Sequence, residues 1–188
     1  NKSDSFSCLM SLEVGDEDVR VFQAGDCSLM HNYGKEFFVS RDQTQLQDLV
    51  DDGVDLGKWC KNHWYYKNQE IEDVIGILNS TVTNTVGDYE FYEEGDEYFG
   101  LDYYPIRSSF LLCSDGVSDN LSEVERKKLM QEASSSKELV YWIQQVVLYQ
   151  NELAANEVVL KQVAGIIGKT LDCISKPDNY SVVAIQMK

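Results

Sequence analysis

Three aspartates lie where apolar, strand-like segments of the sequence end or begin. Asp26 follows the run Val-Phe-Gln-Ala-Gly, and Asp115 follows Phe-Leu-Leu-Cys-Ser and precedes Gly116. Asp178 comes just before the apolar segment that closes the chain. A carboxylate at the end of a buried strand is held in place yet reaches solvent, which suits a ligand of Mg²⁺ or Mn²⁺. Such ions can activate water and neutralise phosphate oxygens, so Asp115 and Asp178 are candidate ligands of a hydrolytic metal site.

The same acids also have purely structural interpretations. An Asp-Gly pair after a strand is most often a turn, so Asp115 and Gly116 alone do not specify a metal ligand. Asp119 fits the N-cap of a helix that begins near Leu121, and Asp26 equally fits a turn. The residues by themselves leave both interpretations open.

The composition indicates a folded, strongly acidic protein. The chain has 188 residues, of which 43% are hydrophobic, so it is long enough to bury a core as one domain. Its formal net charge of −16 disfavours nucleic acid and anionic membranes as partners. Inward-facing carboxylates would instead attract hard cations such as Mg²⁺ or Mn²⁺.

The cysteines and the hydropathy pattern indicate a cytoplasmic protein. Neither a zinc site nor a disulfide framework is expected, because the cysteines are widely spaced and no CxxC pair occurs. Those that lie in apolar runs are predicted to act as small hydrophobic residues. No run has membrane-spanning length, and no signal peptide is recognisable. The five cysteines are Cys8, Cys27, Cys60, Cys113 and Cys173.

The first half of the sequence predicts short strands followed by a helix. Alternating and apolar runs punctuated by Gly, Asp and Asn predict a meander of strands. A helix is predicted over residues 42–52, with Asp42 as its N-cap and Gly53 as its stop signal. The short apolar segment 71–78 fits either a strand or a helical turn. The predicted strands cover residues 6–14, 19–24, 27–31 and 36–40.

The second half predicts one buried strand, a helical group and a final strand. Residues 110–113 form a continuous apolar run that indicates burial on both faces. Helices are predicted over 122–133, where a serine N-cap and early acids occur, and over 137–153 and 156–174. Residues 182–187 predict the last strand. This order indicates an α+β fold with an antiparallel sheet and helices packed on an outer face.

The remaining unusual segments have ordinary interpretations. The acidic cluster within residues 88–97 is predicted to be a solvated edge strand or loop, because its spacing does not match a calcium-binding loop. The aromatic residues within 59–66 are predicted to pack locally. His31 and His63 are predicted to be ordinary surface or partly buried residues.

Four segments together resemble the metal-dependent type 2C protein phosphatases, also called the PPM family. Residues 110–119 (FLLCSDGVSD) are similar to the family signature LLCSDGLxD, and residues 178–185 (DNYSVVAI) resemble its C-terminal DNxTVVVV strand. Residues 19–27 (VRVFQAGDC) resemble its LYVANVGDS hairpin, and residues 41–50 (RDQTQLQDLV) the helix that follows. The segments occur in the family's order.

The resemblance implies an antiparallel β-sandwich flanked by helices, with metal ions between the ends of the sheets. It implies hydrolysis of phosphoserine or phosphothreonine in protein substrates by a metal-bound water, with two or more Mg²⁺ or Mn²⁺ ions. By position in the motifs, Asp115 and Asp178 match the family's core metal ligands. Asp26 and Asp119 match acids of an additional, weaker metal site.

One part of the family pattern does not occur in this sequence. The only Asp-Gly pairs are Asp52-Gly53 and Asp115-Gly116, and neither continues into the family's DGHGG motif, which supplies a bridging aspartate. We therefore expect residues 1–188 to form the C-terminal two-thirds of a single phosphatase-like domain. The alternatives are a catalytically inactive pseudophosphatase that acts as a protein-interaction or regulatory domain, and an acidic interaction domain with chance motif matches.

Overall fold

The structure is a computed structural model that describes residues 8–40, 43–63, 66, 69–81, 100–105, 107–169, 171 and 179–186. These residues form two sheets and a set of helices, so the predicted α+β class is confirmed. The chain divides into two compact units, each taken here over its described residues. One unit comprises residues 8–13, 20–26 and 43–102, and the other comprises residues 14–19, 27–40 and 103–186.

Among the described residues, six of the seven strands agree with the predicted segments to within a few residues, and the strand Gly100–Pro105 was not predicted. The strands are arranged in a three-stranded sheet of order β1-β2-β5 and a four-stranded sheet of order β4-β3-β6-β7. The strands are β1 (Leu9–Val14), β2 (Asp18–Ala24), β3 (Ser28–Tyr33), β4 (Glu36–Val39), β5 (Gly100–Pro105), β6 (Ser109–Cys113) and β7 (Val182–Gln186).

The helices include two that the sequence did not predict, α2 and the single turn α4. α2 begins after Asp55, whose side chain accepts a hydrogen bond from the Lys58 amide at 3.0 Å. The helices are α1 (Gln45–Asp51), α2 (Leu56–Asn62), α3 (Ile71–Ser80), α4 (Asp115–Ser118), α5 (Glu123–Glu132), α6 (Ser136–Gln150) and α7 (Glu157–Ile167). None of those in the described part of the chain has the length and apolar character that crossing a bilayer needs.

The four-stranded sheet is antiparallel, and β6 is its best-protected strand. It pairs with β3, so that Met30 lies opposite Leu111, and with β7, so that Leu111 lies opposite Ala184. Phe110, Leu111, Leu112 and Cys113 are all buried, as the continuous apolar run predicted. One face of this sheet contributes Met30, Leu111 and Cys113 to a core shared with α5, α6 and α7.

The helices of that core begin at residues suited to capping. Ser122 and Glu125 form a reciprocal capping box at the start of α5. Asn156 caps α7 by accepting hydrogen bonds from the amides of Val158 and Val159. α7 ends at Gly168, whose left-handed φ of 79° favours glycine. These local signals fix where each helix starts and stops.

In the other unit, α1, α2 and α3 enclose a small core of Cys60, Val74 and Leu78. α1 begins at Gln45 with Thr44 as its N-cap, so the N-cap lies two residues beyond the predicted Asp42. Segment 71–78 is helical rather than extended, because Val74 and Leu78 are four residues apart and bury one helical face. The acidic cluster within 88–97 lies outside the described residues, as do residues 64 and 65 of the aromatic segment.

Candidate metal centre

Asp115 lies at the first position of α4, directly after the buried strand β6 and the linking Ser114. Its side chain is half-buried, and its Oδ1 accepts a hydrogen bond from the Gly116 amide at 2.8 Å. Because β6 pairs with both β3 and β7, the end of β6 that precedes Asp115 has little freedom to move. The carboxylate of Asp115 is therefore held in one place but remains accessible, as a metal ligand requires.

Gly116 allows residues 179–181 to approach the Asp115 turn closely. A Cβ atom at Gly116 would overlap the carbonyl oxygen of Asn179 and would lie 3.2 Å from Tyr180 Cα. Two hydrogen bonds hold the segments together: the Ser114 amide donates to Ser181 O at 3.0 Å, and the Ser181 amide donates to Ser114 Oγ at 2.9 Å. Asp178 itself lies outside the described residues, but the next residue, Asn179, contacts the Asp115 turn.

Asp119 is brought near Asp115 because the two residues lie at the two ends of one helical turn. Asp119 is the C-cap of α4, is exposed, and donates its amide to the Asp115 carbonyl at 2.8 Å. Its interpretation as the N-cap of the next helix is wrong, because Ser122 caps α5. An exposed carboxylate one turn from Asp115 can reach a shared ion, which suits the role of a ligand.

Asp26 follows β2 through a conformationally special glycine in the other compact unit. Gly25 has a φ of 95°, and a Cβ there would lie 2.7 Å from Cys8 Cβ, so glycine is required on both counts. The Gly25 amide donates to Gln43 Oε1 at 2.7 Å, which fixes the turn. The Asp26 side chain is half-buried.

The donor set suits a hard divalent cation. Asp115 and Asp119 offer carboxylate oxygens, which Mg²⁺ and Mn²⁺ prefer, and no thiol or imidazole of the described residues joins them. Among the described residues, no three His, Cys, Asp or Glu side chains already converge as a complete metal site. Asp115 and Asp119 therefore fit part of a metal site, to which other residues must add ligands.

A buried arginine lies close to Cys113, near the end of β6, and its burial was not predicted from the sequence. Arg126 is only 5% exposed, and its Nη1 donates to Ser28 Oγ at 2.7 Å. Ser28 lies opposite Cys113 in the sheet. Burial raises the pKa of the Cys113 thiol to about 11, although the Arg126 guanidinium acts in the opposite direction. The helical spacing of Arg126 and Leu129, which are three residues apart on the buried face of α5, could have indicated this position.

The cysteines and His31 differ in part from their predicted environments. Cys113 is buried, as expected of a small hydrophobic residue, but Cys8 is exposed. His31 is 2% exposed and packs against the rings of Phe38, Tyr104 and Phe110, so its prediction as a surface or partly buried residue is wrong. Burial lowers the pKa of His31, which favours the neutral imidazole.

Solved protein structures, among them two serine/threonine phosphatases, match this fold. The S. agalactiae serine/threonine phosphatase matches with a TM-score of 0.57 and 14% identity over 97% of this chain. PppA of Pseudomonas aeruginosa matches with a TM-score of 0.52 and 20% identity over 96% of the chain. The catalytic domain of the serine/threonine phosphatase PstP, in complex with two manganese ions, matches with a TM-score of 0.52 and 16% identity over 95%.

The chain has the fold of these serine/threonine phosphatases. The phosphatase-like fold that the sequence resemblance implied is thereby confirmed. The chain spans 60%, 58% and 57% of the S. agalactiae, PppA and PstP chains, respectively. No protein-family model and no curated protein sequence matches the chain.

Proposed function

We propose that this chain is the C-terminal part of a single metal-dependent phosphatase domain that hydrolyses phosphoserine and phosphothreonine in proteins. The observation that carries the proposal is the close approach of Asn179 to Gly116. This contact joins the turn of Asp115 to the residue that directly follows Asp178. It supports the pairing of these two aspartates as metal ligands in a chain with a phosphatase-like fold.

In this proposal each aspartate has a defined role. Asp115 and Asp178 hold the principal metal ions, while Asp26 and Asp119 contribute to a further, weaker site. When bound, Mg²⁺ or Mn²⁺ would lower the pKa of water so that hydroxide is available to attack phosphorus at neutral pH, and would place positive charge opposite the phosphate oxygens. The resemblance to the PPM family also implies a bridging aspartate and a phosphate-binding arginine, and this sequence lacks the family motif that supplies the aspartate.

The environment of the site follows from the charge of the chain. The substrates in this proposal are phosphorylated proteins, and the net charge of −16 disfavours nucleic acid and anionic membranes as partners. The widely spaced cysteines favour a reducing, cytoplasmic compartment. Because the substrate also carries negative charge, its binding depends on the metal ions and on the arginine. This dependence makes metal removal a direct test.

The test is a Mn²⁺-dependent assay of the full-length protein on a phosphothreonine peptide, alongside calorimetric titration with Mn²⁺. We expect Asp115→Asn to lower kcat/KM by roughly 100-fold or more, because a ligand carboxylate becomes a weak amide ligand. Glu123→Gln is the matched control, since Glu123 is an exposed acid near in sequence and should leave activity unchanged. Full activity in the Asp115→Asn protein would overturn the assignment of Asp115.

The same assay on the unaltered protein tests the proposed phosphatase activity itself. Hydrolysis that requires Mn²⁺ or Mg²⁺ and is lost with a chelator supports the phosphatase. Neither hydrolysis nor Mn²⁺ binding by the unaltered full-length protein would contradict it and would favour a pseudophosphatase that retains the fold for protein interaction.

A further inference from the structure

The helix that carries Asp115 and Asp119 is too short to be stable by itself. α4 has four residues, which is a single turn. Because the first turn of a helix fixes several backbone angles for one hydrogen bond, an isolated turn is unfavourable in water. The position of both carboxylates therefore depends on what the rest of the protein supplies to α4.

Apolar contacts supply part of this support. Val117 within α4 and Leu121 just after it are both fully buried and belong to the core formed with α5, α6 and α7. These side chains keep α4 on the protein, but apolar contacts are non-directional. A directional constraint on the backbone of the Asp115 turn must come from hydrogen bonds.

Two buried amide side chains provide that constraint. Asn120 is 8% exposed, and its Nδ2 donates to the Gly116 carbonyl at 2.7 Å. Gln150, also 8% exposed and the last residue of α6, donates its Nε2 to the Asn120 carbonyl at 3.1 Å. The chain of hydrogen bonds thus runs from the end of α6 through Asn120 to the residue next to Asp115.

We propose that Asn120 and Gln150 are positioning residues of the metal site. Asn120 fixes the carbonyl of Gly116, and Gln150 fixes Asn120, so together they set the orientation of α4 and of the carboxylates of Asp115 and Asp119. This inference rests on the proposed function, because those carboxylates are the proposed ligands. Neither amide touches the metal or the substrate; each acts through the backbone of α4.

A second buried glutamine on the same helix gives a matched control. Gln145 is 7% exposed, and its Oε1 accepts a hydrogen bond from the Asn156 amide at 2.7 Å. It therefore also makes a side-chain-to-backbone bond, although as the acceptor, and it does so to the connection between α6 and α7 rather than to Asn120. Gln150→Met and Gln145→Met remove comparable groups with nearly the same volume.

The experiment measures Mn²⁺ affinity by calorimetry and stability by thermal unfolding for the full-length protein and its variants. We expect Gln150→Met and Asn120→Leu to weaken Mn²⁺ binding by about 10-fold, because residues that orient ligands affect metal affinity on this scale. Gln145→Met should lower the melting temperature by a similar amount without changing Mn²⁺ affinity. Equal effects of Gln150→Met and Gln145→Met on Mn²⁺ affinity would overturn the proposal.

Hydrogen exchange of the metal-free protein gives a measurement that does not need metal binding or activity. Exchange at the amides of Asp119 and Leu121, which both donate within the α4 turn, should be faster in Gln150→Met than in Gln145→Met. Unchanged exchange in Gln150→Met overturns the positioning role even if the unaltered protein binds no Mn²⁺. Absence of Mn²⁺ binding with faster exchange would instead refute only the proposed phosphatase function.

Discussion

At the scale of single residues, Gly116 is the position where the Asp115 turn tolerates least change. We expect Gly116→Ala to lower the free energy of unfolding by about 1–3 kcal/mol. The new Cβ would overlap the backbone of Asn179 and push that segment away from the Asp115 turn. The same displacement should weaken Mn²⁺ binding. Urea unfolding and calorimetry measure the two effects.

Gly165→Ala is the control for this substitution. Gly165 lies within α7, and a Cβ there would meet no atom within 4 Å. Replacing it should stabilise the protein by about 0.5–1 kcal/mol, since alanine loses less backbone entropy in a helix. If both substitutions stabilised the protein, the close approach at Gly116 would be wrong.

The sequence was informative about single residues only where a motif surrounded them. Asp115 and Gly116 were recognisable from the strand before them and the glycine itself, and the structure explains the need for that glycine. Arg126 was not recognised, because an arginine in the charged run Glu-Arg-Lys-Lys looks solvated. Its side chain is buried against Ser28 and Cys113, which are distant from it in the sequence.

At the scale of secondary-structure elements, Glu125 links the start of α5 to the segment after α7. Its carboxylate accepts a hydrogen bond from the Ser122 amide at 2.8 Å and pairs with Lys169. Burial of Glu125 acts to raise its pKa, but the hydrogen bonds from Lys169 and Ser122 outweigh it, so the pKa lies below the ordinary 4.5. The ionised form is therefore the one that stabilises the fold.

This shift predicts a stability that depends on acid pH. A lowered folded-state pKa contributes stability that is fully present above pH 4.5 and is lost as the pH falls through the folded-state value. We expect Glu125→Gln to cost about 1 kcal/mol at pH 7, because the amide keeps part of the cap but not the ion pair. Urea unfolding below pH 4.5 should show a smaller difference between the two proteins.

A double-mutant cycle tests whether Lys169 is the responsible partner. In a Lys169→Met background, Glu125→Gln should cost less than in the unaltered protein. A difference in stability between the unaltered protein and the Glu125→Gln variant that did not change with pH would refute the role of ionisation.

The elements themselves were largely predictable because their signals are local. Apolar runs located the described strands other than β5, and the serine before Glu123 located α5. Segment 71–78 was ambiguous because a short apolar run fits both the two-residue period of a strand and the 3.6-residue period of a helix. Its packing with Cys60 favours the helix. α2 was missed because its aromatic and charged residues show no clear periodicity, leaving only Asp55 as a capping signal.

At the scale of the whole molecule, the charge of −16 opposes the compact state through self-repulsion. We expect the melting temperature to rise by about 2–4 °C when NaCl is raised from about 0.05 M to about 0.3 M, which corresponds to roughly 1 kcal/mol. At equal ionic strength, MgCl₂ should raise it further, since a bound divalent ion adds stability beyond screening. A melting temperature that fell with NaCl would contradict this expectation.

The overall class was predictable from the order of the elements, but the tertiary contacts that support the proposed metal site were not. Asp115 and Asp119 are four residues apart and form one turn, so their proximity follows from local structure. Asn120 and Gln150, by contrast, meet only because α6 returns to α4. Such a pairing depends on tertiary packing, which residue spacing does not encode.

The pairing of β6 with β7 also determines when the Asp115 turn is completed during synthesis. Four helices separate these strands in the sequence, and β7 brings with it the segment that packs on Gly116. As the chain leaves the ribosome, Asp115 emerges well before this segment does. Contacts between such distant parts of a chain form slowly, so in a nascent chain the Asp115 turn lacks its contact with residues 179–181. Its ability to bind metal should therefore arise only after β7 has docked, late in folding.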